Sequence, residues 1–147
     1  MSLVYKYNSS GGDPVIESFP LAAVTTERDS ICYYNTVGFL TNAYTNAGTV
    51  TTVLVAGVTA EAVVNAAGAA GDLQQPIICT KDARYRADSS STADQTDVGT
   101  NVTMDSILLV DEDDPVTDST GVFRILKLQG AAAAVAAVLG SINYGTP

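Results

Sequence analysis

The side chains in this chain that could do chemistry are carboxylates, hydroxyls, two thiols and a few cations, because the 147 residues include no histidine and no tryptophan. That absence removes the commonest general base, proton shuttle and metal ligand. The densest chemical group is Asp111-Glu112-Asp113-Asp114-Pro115, with Asp118 beyond it. Hard cations want several oxygen ligands, and clustered carboxylates supply them. A calcium loop, however, needs alternating ligands, a central glycine and a distant glutamate, and Pro115 interrupts that pattern. Asp111, Asp113, Asp114 and Asp118 are therefore the only metal candidates, and weak ones. The stretch Asp111 to Thr120 reads as a solvated acidic loop. Carboxylates adjacent in a loop also lack the defined spacing across a cleft that acid–base catalysis requires. No cofactor is expected.

The remaining candidates are weaker as reactive groups. Ser89, Ser90 and Ser91 have no histidine to activate them, and neither Lys81 nor Lys127 has a partner that singles it out as a base. Ala67-Gly68-Ala69-Ala70-Gly71 lacks the spacing and the following Lys-Ser/Thr of a phosphate loop. Cys32 and Cys79 sit in apolar runs and read as buried small hydrophobes rather than as a disulfide. Arg84 and Arg86 flank Tyr85, so a strand there puts both guanidinium groups on one face, suited to contacts between subunits. Seven tyrosines outnumber three phenylalanines, and rings with a polar tip suit half-buried contacts. Leu3, Tyr5, Tyr7, Arg84, Tyr85, Arg86 and Tyr144 are thus the candidate contact residues. Chemistry recedes, and a surface for assembly takes its place.

Net charge narrows the partners. At −9, with only seven lysines and arginines, the bulk surface repels phosphate backbones, so no nucleic-acid partner is expected. The apolar tract from Leu126 to Ile142 is broken by Lys127, Gln129, Gly130 and Gly140 and is too alanine-rich to persuade as a membrane span. Met1 to Gly12 lacks the basic-then-apolar layout of a secretory leader. The expectation is a soluble protein made in a reducing cytoplasm, with neither a membrane nor a small-molecule substrate as partner.

The elements that must carry these residues read as mainly β. Leu3 to Tyr7 is a short strand followed by the polar, glycine-rich Asn8 to Gly12, which predicts an extended N-terminal arm over residues 1–12 and a single β-rich domain over 13–147. Such an arm can add a strand to a neighbour's sheet. Strands are predicted over Pro14–Leu21, Ile31–Tyr34, Val37–Leu40, Val50–Val58, Leu73–Thr80, Ala83–Ala87, Ser106–Val110 and Gly121–Leu128, where β-branched and aromatic residues dominate. Pro76 argues for an edge position or a strand start. Ala60 to Ala70 reads as a short helix or an irregular loop, limited by Gly68 and Gly71. Asp88 to Asn101 reads as a long polar excursion. Alanine-rich residues 131–134 read as a turn, and Val135 to Asn143 as a closing strand, with helix as the alternative. Short strands and frequent turns point to a barrel or sandwich with long loops.

This layout resembles a known family. Phe19-Pro20-Leu21-Ala22 leads into short Val/Thr/Gly strands. A polar stretch ending Asp97-Val98-Gly99-Thr100 follows, then Gly121-Val122-Phe123 and a small-residue closing strand. From about Pro14 to Tyr144 it is similar to the head decoration, or capsid cement, proteins of tailed bacteriophages. The resemblance implies a compact β-barrel or β-tulip-like body, commonly a homo-trimer. It implies a place on the outer capsid surface, clamped where major capsid protein subunits meet, with a terminal arm reaching across to neighbours. It also implies synthesis in a bacterial host and no catalysis. The chain is longer than the smallest such barrels, with Ala60–Gly71 and Asp88–Asn101 as elaborations. The alternatives from the residues are a tail-tube or other virion assembly subunit, and a calcium-dependent binding module.

Overall fold

The computed structural model describes residues 3–42, 54–104, 109–116, 122–129 and 134–142. Two β-sheets are built from eleven strands: β1 (Val4–Asn8), β2 (Ile16–Pro20), β3 (Ile31–Tyr34), β4 (Leu40–Thr41), β5 (Leu54–Thr59), β6 (Gln74–Ile78), β7 (Ala83–Asp94), β8 (Asn101–Met104), β9 (Leu109–Val116), β10 (Phe123–Leu128) and β11 (Ala134–Ile142). The protein is mainly β, as the composition predicts.

Strands β7, β11, β10, β8 and β9 pair in that order, and a parallel contact between β7 and β9 closes them into a five-stranded barrel. Strand β1 adds to the β7 edge outside the ring. The long β7 makes this arrangement work. Its first half pairs with β1, from Val4↔Arg86 to Asn8↔Ala83, and its second half pairs with β9 at Asp88↔Leu109 and Ser89↔Val110. Strict alternation along it buries Ala83, Tyr85, Ala87 and Ser89 and leaves Arg84, Arg86 and Asp88 on the outer side.

The second sheet has the order β2-β6-β5-β3-β4, all antiparallel. Both of its faces are covered, which is why its strands read as nearly continuous apolar runs. Ile31, Tyr33, Val55, Val58 and Ile78 face the barrel and share one core with Tyr85, Val102, Phe123, Ile125 and Val138. Cys32, Ala56 and Ile77 face the other way, into a smaller core with Leu21 and Leu40. Gly57 lies at a bulge opposite Cys32, where any Cβ would overlap the Ile78 carbonyl oxygen.

Polar groups pin the strand-poor segments onto this sheet. Gln75 is fully buried; its amide donates to the carbonyls of Glu61 and Pro76, both at 2.9 Å, and the Thr26 hydroxyl donates to its Oε1. The Asn65 amide donates to the carbonyls of Ala22, at 3.0 Å, and Ala69, at 3.1 Å. Each bond meets a buried group that would be costly left unpaired.

Several expectations need correction. Residues 60–70 hold no helix: they form turns with one isolated bridge, Val64 to Thr25, because Asn65 spends its side chain on nearby carbonyls. The polar excursion at 88–101 is instead the far half of β7, a single 3₁₀ turn over Gln95–Asp97 and the start of β8. A reciprocal cap starts that turn: Asp94 accepts from Thr96 N at 2.7 Å, and Asp97 accepts from Asp94 N at 2.8 Å. Asp111 to Val116 of the expected acidic loop is strand instead, part of β9 and paired with β8, and residues 117–120 lie outside the described residues. Val37–Leu40 is mostly a turn, in which the Asn35 carboxamide accepts from Val37 N and Phe39 N. Pro76 sits mid-strand between β2 and β5. It is tolerated because β5 pairs only as far as Thr59↔Ile77, leaving the Pro76 carbonyl to accept from Ala60 N. The expected closing strand, by contrast, is present as β11, which begins one residue earlier at Ala134, with residues 131–133 and 143 outside the described residues.

Candidate assembly surface

The N-terminal arm is not free. Leu3 is 0% exposed inside the main core, its N–H donates to the Asp29 carbonyl at 2.7 Å, and Val4 to Asn8 pair with the chain's own β7. Tyr5 is half-buried with its ring edge-on to Tyr85, centroids 6.2 Å apart, and its hydroxyl donates to Asn8 Oδ1 at 3.1 Å. Tyr85 itself is fully buried, so it is a core residue and not a contact. Of the N-terminal candidates only Tyr7 is broadly exposed, at 49%.

What lies beyond Tyr7 was not legible as a contact. Strands β1 and β2 run beside β7 and β6 as one two-stranded ribbon that turns the corner from barrel to second sheet. Asp82 holds the corner. Its carbonyl accepts from Ser9 N at 2.9 Å, and its carboxylate accepts from Ser10 N at 2.9 Å and from the Ser10 hydroxyl. Those two bonds hold the Asp82 carboxyl below its ordinary pKa. On the other side of the corner, Val15 N donates to Thr80 Oγ1 at 2.6 Å and Cys79 N donates to the Val15 carbonyl at 3.0 Å. The Asn8 amide closes the turn through the Asp13 carbonyl at 2.9 Å.

Each of the two outer strands ends its sheet. Among the described residues no strand pairs with their far edges, whose main-chain donors and acceptors are a template for another extended chain. Along the same ribbon Val15 is 51% and Ile16 53% exposed. With Tyr7 they are the exposed apolar side chains on or beside the two strands of this ribbon. The signal available beforehand was the Ile16-Glu17-Ser18-Phe19 alternation, but exposure of Ile16 follows only from the register with β6.

The other candidates do not converge. Arg84 and Arg86 share the outer face of β7 as expected. Arg86, however, pairs with Asp88 of its own strand at 3.0 Å, and Arg84 donates to the Asp82 carbonyl at 3.2 Å. Asp111, Asp113 and Asp114 lie in β9, while Asp118 and Tyr144 lie outside the described residues. Among the described residues no three histidine, cysteine or acidic side chains are placed to hold a metal ion. Ser89 is buried in β7 and Ser90 and Ser91 are exposed, so the three hydroxyls do not form one site.

Both thiols are free, Cys32 buried and Cys79 half-buried. Burial pushes Cys32 up to about 12 and, with Glu17 nearby, raises Cys79. Such thiols are poor nucleophiles at neutral pH. Strand β5 stands between them, since Cys32 opposes Gly57 and Ile78 opposes Val58. Two strand spacings, about 9–10 Å, exceed the reach of a disulfide. No helix among the described residues is long and apolar enough to cross a membrane. Compared with family models, curated proteins and solved structures, the chain matches none.

Proposed function

We propose that this protein is a virion structural subunit that binds the outside of an assembled phage capsid. It would stabilise the shell by bridging major capsid subunits, as a homo-trimer, without catalysis. The observation that supports this best is the free ribbon edge from Val4 to Pro20, with Tyr7, Val15 and Ile16 exposed along it. An edge of this kind is normally blunted by charge, proline or a covering element. Here Glu17 and Pro20 blunt only part of it, and the apolar residues remain open. A small barrel with a shared, well-filled core suits a clamp that must hold its shape on a lattice. A protein binding only the assembled shell stabilises it by mass action. Repetition over a symmetric surface multiplies a modest contact into strong avidity.

The test is co-expression with a major capsid protein, should one be encoded in the neighbouring reading frame, followed by pelleting of assembled shells. The chain should sediment with shells in fixed stoichiometry and stay in the supernatant with unassembled capsid subunits. The variant Ile16→Lys, which places a charge on the free edge, should fold normally and lose the shell. Wild-type protein left wholly in the supernatant overturns the reading.

A further inference from the structure

The positive charges of this acidic chain are gathered on one side. Of its seven lysines and arginines, Lys6, Lys81, Arg84, Arg86, Arg124 and Lys127 all lie on or beside β1, β7 and β10, and only Arg28 lies elsewhere. Register explains the gathering. Lys127 opposes Leu139, which opposes Arg86, which opposes Val4, so one row crosses four strands on the outer barrel face. Residues directly opposed across strands share a face. Arg124 opposes Ser141, and Arg84 opposes Tyr7, which adds to the same face. Arg124 and Lys127 are exposed while Phe123 and Ile125 between the rows point into the core. Leu139, in neither core cluster, lies between Lys127 and Arg86, whose alkyl stems can shelter it. Among the described residues three carboxylates stand on or near this face: Asp82, held by Ser10, Asp88, paired with Arg86, and Asp94 at the far end of β7.

Negative charge is carried by the acidic run of β9, Asp111 to Asp114, and, nearly unopposed by cations, by the second sheet and its connections. Residues 9–79 carry six carboxylates, Asp13, Glu17, Glu27, Asp29, Glu61 and Asp72, against the single Arg28. Five of the six are exposed, and only Asp29 meets a cation, Arg28 at 3.7 Å.

We propose that the cationic outer face of β1, β7, β11 and β10 is a self-association surface that takes the acidic sheet flank of a second copy of this chain. A cationic face cannot meet itself without like-charge repulsion, and a two-fold contact would have to join face and flank reciprocally in one patch; because they lie on different sheets, the proposed contact is head to tail. Head-to-tail contacts close into rings when the rotation allows. The surface thus deepens the oligomeric part of the proposed function, and rests on it only there. Nothing in it requires a capsid.

The experiment is analytical ultracentrifugation of the purified full chain at about 0.15 M and about 1 M salt, where the screening length falls from about 8 Å to about 3 Å. Wild type should form a closed oligomer larger than a dimer and dissociate at least about tenfold more readily in high salt. The double variant Arg124→Glu/Lys127→Glu should give the wild-type circular dichroism spectrum and sediment as a monomer. Mixing it with Asp13→Lys/Glu17→Lys should restore association through the exchanged charges. A monomeric wild type, a two-fold dimer, or an oligomer indifferent to the double reversal overturns the proposal. So does an oligomeric double variant that has lost only shell binding, because the face would then belong to an acidic shell. A monomer that still pellets with shells sinks this surface alone, and an oligomer that never pellets sinks only the capsid reading.

Discussion

At the scale of single residues, the consequences come from side chains with nowhere else to go. A Cβ on Gly140 would overlap the Arg124 carbonyl and the Phe123 ring, so β11 can pass β10 there only without a side chain. Gly140→Ala is expected to cost about 1–3 kcal/mol through overpacking, read as a lower urea midpoint with unchanged slope. An unchanged midpoint would mean that the two strands are further apart than described. Cys32 makes the pH dependence directional. In the unfolded chain its thiol ionises near 9, whereas folded it stays protonated until about 12. The unfolded state therefore loses its proton first, and stability present below pH 9 is lost between roughly 9 and 12. Cys79 and Tyr34, also raised by burial, act in the same sense. Melting temperatures should fall across that window, and Cys32→Ala should flatten the decline. A decline of equal slope in the variant would remove Cys32 as its source.

Elements differ in how much of them could be read beforehand, and the difference is physical. Strand β3 was legible to the residue, and β5, β6 and β10 nearly so, because their Val, Ile, Leu and aromatic residues pack between two apolar layers in the second sheet and against the barrel core in β10. The far half of β7 and the acidic β9 were not, since Ser-Ser-Ser-Thr and Asp-Glu-Asp-Asp carry no strand preference of their own. They are strands because β11, β8 and each other supply partners, and pairing overrides local preference. The same cause hid the candidate surface. Tyr7 was legible as a candidate and is exposed, but the exposure of Val15 and Ile16, and the cationic rows, depend on register between distant strands. Strand β1 was correctly seen as a strand but not as a fixed part of the barrel edge. Deleting residues 1–12 should therefore cost stability as well as contact. Leu3→Ala alone is expected to cost about 2–5 kcal/mol by urea denaturation, the range for a fully buried leucine. A cost below about 1 kcal/mol would restore the picture of a detachable arm.

On the scale of the whole molecule, one core joins both sheets, with Tyr33 on the second sheet and Tyr85 in the barrel as members of it. The chain should therefore unfold in a single step. Tyrosine fluorescence and far-ultraviolet circular dichroism should trace the same curve, and separated midpoints would show that barrel and sheet are independent. The pairings that close the ring and attach its edge join distant stretches, such as β7 with β11 and β1 with β7, so ring closure comes late, after long loops have been ordered. The parallel contact of β7 with β9 has a particular consequence. It rests on two residue pairs, Asp88↔Leu109 and Ser89↔Val110, as the β8–β10 joint does, where the other joints of the ring have more. A cylinder fastened so briefly along two lines has preferred places to part. Under tension the wall would open at one of these two joints, leaving the remaining staves joined as a curved sheet able to re-form the ring without unfolding.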